Sequence, residues 1–305
     1  MHSHDTLDAW ITGYLRDHAP RARSLIVTLF GDTVMPYCDR IWLGNLIALM
    51  APFGVNERLV RTSVSRLSEA GWLTSQREGR RSYYTLGSAG RRRFRHAYDR
   101  VYRPPEAWRG GWSIVFAPKA LPPEDRARLR QELEWEGFAS SASGVFLRPA
   151  DDLEAAGDVI GGLGLAAQAV TFDARTTPGV APEALSKLVA GAWSLDPAIE
   201  AYRGFNAQMA DLPALIKPGA GLKDQHAFVV QTLMIDAFRW ATLRDPQLPA
   251  ALLPADWPGH QARALCHELY RQLYMHTRRH LAATTQDSIN LSTIPTLISS
   301  RFDGL

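Results

Sequence analysis

The stretch Gly54–Leu86, GVNERLVRTSVSRLSEAGWLTSQREGRRSYYTL, decides how the chain is read. Asn56 offers a side-chain oxygen to an orphan N–H at a helix start, and Gly71 supplies a stop before Trp72. Val60, Val64 and Leu67 recur at i, i+4 and i+7 as one apolar stripe, while Arg58, Arg61, Thr62 and Ser65 share a different face. One face packs and the other is left to meet a partner. Beyond Trp72, Leu73–Arg77 and Ser82–Leu86 are β-capable runs flanking Glu78-Gly79-Arg80-Arg81, whose glycine permits a tight turn. Guanidinium forks match guanine O6/N7 or phosphate oxygens, and short hydroxyl residues between them let a helix backbone approach a major groove. The candidate DNA contacts are therefore Arg58, Arg61, Thr62, Ser65 and Arg66 on the helix and Arg77, Arg80 and Arg81 on the hairpin. Solvation of a surface helix is the plainer use of arginine. The succession of helix, glycine stop and basic hairpin favours DNA over it.

Charge is distributed in the same sense. The 305 residues carry a formal net charge of +3, yet residues 21–103 hold 15 Arg and no Lys against 6 acidic residues, and both flanking segments are net acidic. Arginine used to the exclusion of lysine suits planar, bidentate contacts. The long amphipathic Lys-rich face of a membrane-surface helix is missing. Two cysteines, Cys38 and Cys266, furnish neither a disulfide framework nor a Cys-rich zinc site. With no apolar run of spanning length and no signal-like start, the sequence predicts a soluble, cytoplasmic protein.

Taken in order, Ala22–Phe30 and Ile41–Met50 read as buried helices, and with Asn56–Ala70 and the hairpin they give the order of a winged helix-turn-helix. A linker helix over Ala89–Arg103 follows, with Phe94, Ala97, Tyr98 and Val101 as its stripe, and Pro104-Pro105 breaks it. Trp112–Phe116, Pro122–Glu136, the strands around Ser143-Gly144, Asp151–Ile160 and Ala167–Phe172 suggest a ferredoxin-like βαββαβ module. From Pro182 onward the periodicity is helical. The predicted fold class is α+β multidomain: a winged helix-turn-helix domain with linker helix over 1–103, a ferredoxin-like dimerisation module over 104–178, and an all-α effector and dimerisation domain over 179–305. The tail Ser288–Leu305 reads as loosely structured or partner-dependent.

Four stretches carry a family resemblance: NERLVRTSVSRLSEAGW (Asn56–Trp72), GRRSYYTL (Gly79–Leu86), WSLDPAIEAYRGF (Trp193–Phe205) and FRWATLRDPQLPAALLPADWPG (Phe238–Gly259). Together, over roughly residues 20–280, they resemble the PaaX family of repressors, which control phenylacetate catabolism. The resemblance implies a homodimeric repressor on an imperfectly palindromic double-stranded DNA operator, released by phenylacetyl-coenzyme A or a related aryl acyl thioester. It implies no enzyme and no cofactor. The chain departs from the family pattern at Phe238-Arg239-Trp240, where an aromatic followed by two arginines is usual, and this bears on the effector's identity or affinity. A thioester of that kind needs cations for phosphate, a stacking surface for adenine and an apolar slot. Arg239, Trp240, Arg244, Trp257, His260 and Arg263 offer those residue types, with core packing as the plainer fate of the two tryptophans.

Other chemistries find less support. His276 and His280 have zinc-sharing spacing without a third ligand, so no metal site is expected. Cys266-His267-Glu268 diverge by about 100° per residue on a helix, which spoils a nucleophile–base pair. Gly161-Gly162-Leu163-Gly164 lacks the lysine of a phosphate loop. A metal-dependent nuclease built on the middle module would want a carboxylate at the end of its first strand, where Phe116-Ala117-Pro118 stands. An acyl-coenzyme A hydrolase would want the missing nucleophile and base.

Overall fold

The computed structural model describes residues 3–103, 107–118, 120–216, 221–285 and 294–304. The Pro104-Pro105 and Lys217-Pro218-Gly219 breaks read from the sequence lie outside them. By compactness the chain forms two units, one of 1–104, 201–242 and 258–305, the other of 105–200 and 243–257. This division differs from the sequence-based one into three successive segments.

The first unit starts with α1 (Ser3–Asp17) and α2 (Ala22–Leu29), and α2 runs on into a π-helical turn over Phe30–Val34. β1 (Ile41–Trp42) and α3 (Leu43–Met50) follow. The expected helix over Ile41–Met50 thus loses its first two residues to a strand. β-branched and aromatic side chains suit a pleated edge, and the pair has one available beside the hairpin. α4 (Glu57–Glu69) begins at Asn56, whose side chain accepts from the Leu59 N–H at 2.9 Å, and ends before Gly71 in a left-handed conformation with φ 70°. Val60, Val64 and Leu67 are buried as the periodicity requires.

β2 (Leu73–Glu78) and β3 (Arg81–Leu86) pair from Leu73↔Leu86 to Glu78↔Arg81 around a two-residue turn, with Gly79 at φ 58°. β1 adds to the other edge of β3 through Ile41↔Tyr84 and Trp42↔Tyr83, giving the sheet order β1-β3-β2. α5 (Ser88–Tyr102) is a 15-residue helix that buries Tyr98, Val101 and Tyr102.

The second unit contains β4 (Gly111–Phe116), α6 (Pro123–Trp135), β5 (Ala139–Ala142), β6 (Val145–Pro149), α7 (Glu154–Gly162) and β7 (Val170–Arg175). The last strand starts three residues later than the sequence suggests. Its register, from Gly111↔Arg175 to Phe116↔Val170, is set by antiparallel pairing with β4. The sheet is antiparallel throughout, in the order β5-β6-β4-β7. Leu129 and Leu133 of α6 and Val159 and Ile160 of α7 pack with Val115, Phe138 and Phe146 on one face. α8 (Pro182–Ala192) falls in this unit by compactness. Its Val189 and the following Trp193 pack with Trp112, Ala139 and Leu147, and the Trp193 indole donates to Gly137 O at 3.1 Å.

α9 (Asp196–Met209) crosses the unit boundary, and α10 (Leu212–Leu215), α11 (Asp224–Thr242) and α12 (Pro258–Thr285) belong to the first unit. α11 is buried on almost every side because α2, α5 and α12 all pack on it. Its Asp236 is paired within this packing, accepting from Ser24 and Thr28, each at 2.7 Å. The described part of the tail overturns the expectation of loose structure. α13 (Thr296–Ser299) and a 3-10 turn over Arg301–Asp303 carry a fully buried Arg301 and a buried Phe302.

Candidate nucleic-acid interface

The face of α4 opposite its apolar stripe presents Arg58, Arg61, Thr62, Ser65 and Arg66, all exposed. Each reaches its position from a helix fixed by burial of the other face, so the set is rigidly presented. Three of the five make bonds within the helix. Arg61 pairs with Glu57 at 2.7 Å, the Thr62 hydroxyl donates to Arg58 O at 2.9 Å, and Ser65 donates to Glu69 at 3.0 Å. Arg61 and Glu57 are both more than half exposed, so their pair is worth only about 0.2–1 kcal/mol and is cheaply exchanged for a phosphate.

The hairpin extends the basic surface. Arg80 is exposed at the turn, Arg77 Nε donates to Gly79 O at 3.2 Å, and the Arg81 guanidinium lies over the Trp42 ring at 4.7 Å. Two contributors were not legible as such. Arg40 pairs with Glu78 and lies over the Tyr83 ring at 4.5 Å, and Trp42 supplies the platform for Arg81. Trp42 comes from the segment that reads as helix from its apolar content, and the strand pairing of β1 carries it, with Arg40 just before it, to the hairpin. Arg93 on α5 similarly covers Trp72 at 5.2 Å.

The effector residues named from the sequence do not share one compact unit. Arg239, Trp240, His260 and Arg263 lie in the first, and Arg244 and Trp257 in the second. Arg239 is turned to the interior, donating to Ser24 at 2.7 Å, to Thr28 at 3.2 Å and to Asp236 at 3.2 Å. Arg263 donates to Arg103 O and lies 5.8 Å from the Phe302 ring centre. Trp257 is buried, Trp240 is 52% exposed and His260 is exposed. Burial lowers the pKa of Arg244.

Among the described residues no group of three or more His, Cys, Asp or Glu side chains could hold a metal. His276 instead bonds Asp224 at 2.7 Å, and the His280 ring packs on Phe228 with centroids 4.7 Å apart. Desolvation raises the Asp224 carboxyl, and hydrogen bonds from Arg279 and His276 outweigh it to hold the group below the usual carboxylate range. Burial pushes the Cys266 thiol well up, away from nucleophilic character. Gly161 and Gly162 end α7, Leu163 caps it, and Gly164 beyond is left-handed at φ 71°. No helix among the described residues is long and apolar enough to cross a membrane.

A mixed α/β chain that presents an arginine-rich helix and an adjoining basic hairpin on one unit defines the class. Its relatives define the family. Residues 21–90 match the family described as PaaX-like protein, residues 105–186 the PaaX protein central Cas2-like domain, and residues 193–283 the PaaX-like protein C-terminal domain. The chain is 33% identical over 302 residues to the transcriptional repressor PaaX of Escherichia coli strain K12, covering 98% of this chain and 95% of that one. Among solved structures it is similar to the uncharacterized protein Rv0674 from Mycobacterium tuberculosis, with a TM-score of 0.48 and 30% identity over 79% of this chain and 89% of that one. The chain belongs to the PaaX family.

Proposed function

We propose that this protein is a transcriptional repressor of phenylacetate catabolism genes that binds operator DNA as a homodimer. The observation that carries the reading is the 33% identity, over 98% of this chain, with a protein named a transcriptional repressor. The exposed α4 face and basic hairpin are the local feature that agrees with it. In this reading β1 to β3 with α2 to α4 form a winged helix-turn-helix, α4 enters the major groove, and Arg58, Arg61, Thr62, Ser65 and Arg66 face bases or phosphates. Arg77, Arg80 and Arg81 of the hairpin grip the adjacent backbone. The βαββαβ module, of ferredoxin-like type, pairs two copies so that two half-sites are met at once.

The inducing ligand in this reading is phenylacetyl-coenzyme A or a related aryl acyl thioester, and it acts by favouring a dimer geometry that misfits the operator. Of the six effector residues, Trp240 and His260 have the exposure a ligand contact needs, whereas Arg239 would have to abandon Asp236. A metal-dependent nuclease is the alternative; β4 ends at Phe116 with Ala117 and Pro118 following, and no carboxylate stands there to hold a cation. The test is a mobility-shift titration on the protein's own promoter region at fixed salt, with and without phenylacetyl-coenzyme A. A specific complex that dissolves with the thioester supports both halves, and an indifferent one keeps the repressor and removes the effector. Cleavage of the DNA on adding magnesium overturns the non-enzyme reading.

A further inference from the structure

Asp32 lies in the π-helical turn after α2, where the ordinary i→i−4 ladder is interrupted. Its carboxylate is 3% exposed and is served by the body of the unit: Tyr102 donates at 2.6 Å, Tyr270 at 3.0 Å and Gln231 at 2.7 Å. Into the same place comes Arg301. Its guanidinium meets Asp32 Oδ1 at 2.8 Å, Asp32 O at 3.1 Å and Gly31 O at 3.3 Å, and donates to Tyr270. The rings of Tyr98, Tyr102 and Tyr270 surround it at 5.3, 4.0 and 5.6 Å. A carboxylate, two backbone carbonyls and three electron-rich ring faces make a complete recognition site for a guanidinium.

Among the described residues, backbone bonds of Ile298, Ser299, Ser300 and Gly304 run within the segment that supplies the guanidinium, and Arg301 and Phe302 reach the body through their side chains. α13 has four residues and the following turn three, too few to be stable alone, and neither adds a strand to a sheet. Phe302 sits against His267, Tyr102 and Tyr270, and its backbone is left-handed at φ 52°, a strained conformation for a bulky residue. Asp32 has three neutral donors besides the guanidinium, from Tyr102, Gln231 and Tyr270.

We propose that this socket is a docking site for an arginine–aromatic peptide, filled in cis by the chain's own Ile294–Gly304, and that the segment docks and undocks while the body of the unit stays folded. Two walls of the socket, Tyr98 and Tyr102, belong to α5, which directly follows the hairpin. Occupancy therefore restrains the element next to the candidate DNA surface. That last consequence rests on the DNA-binding reading; the docking site does not.

The test uses the full-length Arg301→Ala protein, its fold checked by circular dichroism, titrated with a fluorescent peptide of sequence IPTLISSRFDG and with the same peptide carrying alanine for arginine. Saturable one-to-one binding, at least about tenfold weaker for the alanine peptide, is expected, the loss matching a charge-assisted contact. Equal affinity for both peptides, or no saturable binding to the folded variant, overturns the site. Should Arg301→Ala not fold, hydrogen exchange of the wild-type chain decides. Amides of 296–304 exchanging at least about tenfold faster than those of Leu269–Leu281 are expected for a separately opening segment. Exchange in step with that stretch makes the tail a fixed part of the core and ends the proposal. Neither measurement involves DNA, so a failed operator assay leaves this result intact.

Discussion

Two groups of arginines in the same unit have opposite surroundings. Those on α4 and the hairpin are exposed, Arg61 beside an exposed Glu57 and Arg81 over the Trp42 ring, whereas Arg239 and Arg301 are turned inward onto Asp236 and Asp32. The residue type is the same and the local spacing gives no warning of the difference. A guanidinium in water is available to a phosphate at little cost; one that has been desolvated and paired gives up a buried partner if it leaves. The comparison separates arginines open to an outside ligand from those whose partner lies within the chain.

The largest expected effect breaks the interior side. Asp32→Ala strands the donors of Tyr102, Tyr270 and Gln231 together with Arg301, and urea unfolding should show a loss of about 3–5 kcal/mol. A loss below about 1 kcal/mol would mean the network contributes little. The exterior side is sharpened by Arg58→Ala, which should leave stability within about 0.5 kcal/mol and weaken operator binding by about 1–3 kcal/mol, with a salt slope shallower by about one if the contact is to phosphate. Unchanged affinity would take Arg58 out of the interface.

Arg239→Ala tests a residue that sequence assigned to the effector and geometry assigns to the interior. Removing it leaves Asp236 with only the Ser24 and Thr28 hydroxyls, and a destabilisation of about 1–3 kcal/mol is expected. A variant as stable as wild type that has lost thioester binding would return Arg239 to the ligand. The smallest effect concerns His280, whose pKa burial lowers against the opposing Asp224 charge. A depressed pKa means the folded chain binds the proton less readily than the unfolded one. The stability contribution is therefore complete above the unfolded value near 6.5 and is lost as pH falls through it. Thermal melts between pH 7 and 5 should decline less steeply for His280→Gln than for wild type; parallel slopes would show that His280 does not contribute.

Much of the local order was legible. The Asn56 cap, the Val60, Val64 and Leu67 stripe and the Gly79 turn each depend on neighbours within one or two helical turns, so periodicity and turn chemistry find them. The βαββαβ order was readable for the same reason, with the register of β7 missed because the partner strand β4 sets it. The strand at Ile41–Trp42 was missed because its apolar content suits either a helix or an edge, and its partners lie about forty residues away on β3.

The sequence by itself determined where α4 starts and stops and where the hairpin turns, which face of α4 is apolar, and that the basic charge is concentrated in residues 21–103. These follow from short-range backbone sterics and from side-chain repeats of fixed period. Only the tertiary structure decided that α8 joins the sheet unit, that Arg239 faces inward, and that Arg301 reaches Asp32 from 269 residues away. Desolvation is the physical reason. The state and partner of a charged side chain depend on what excludes water from it, and the elements that do so come from distant parts of the chain.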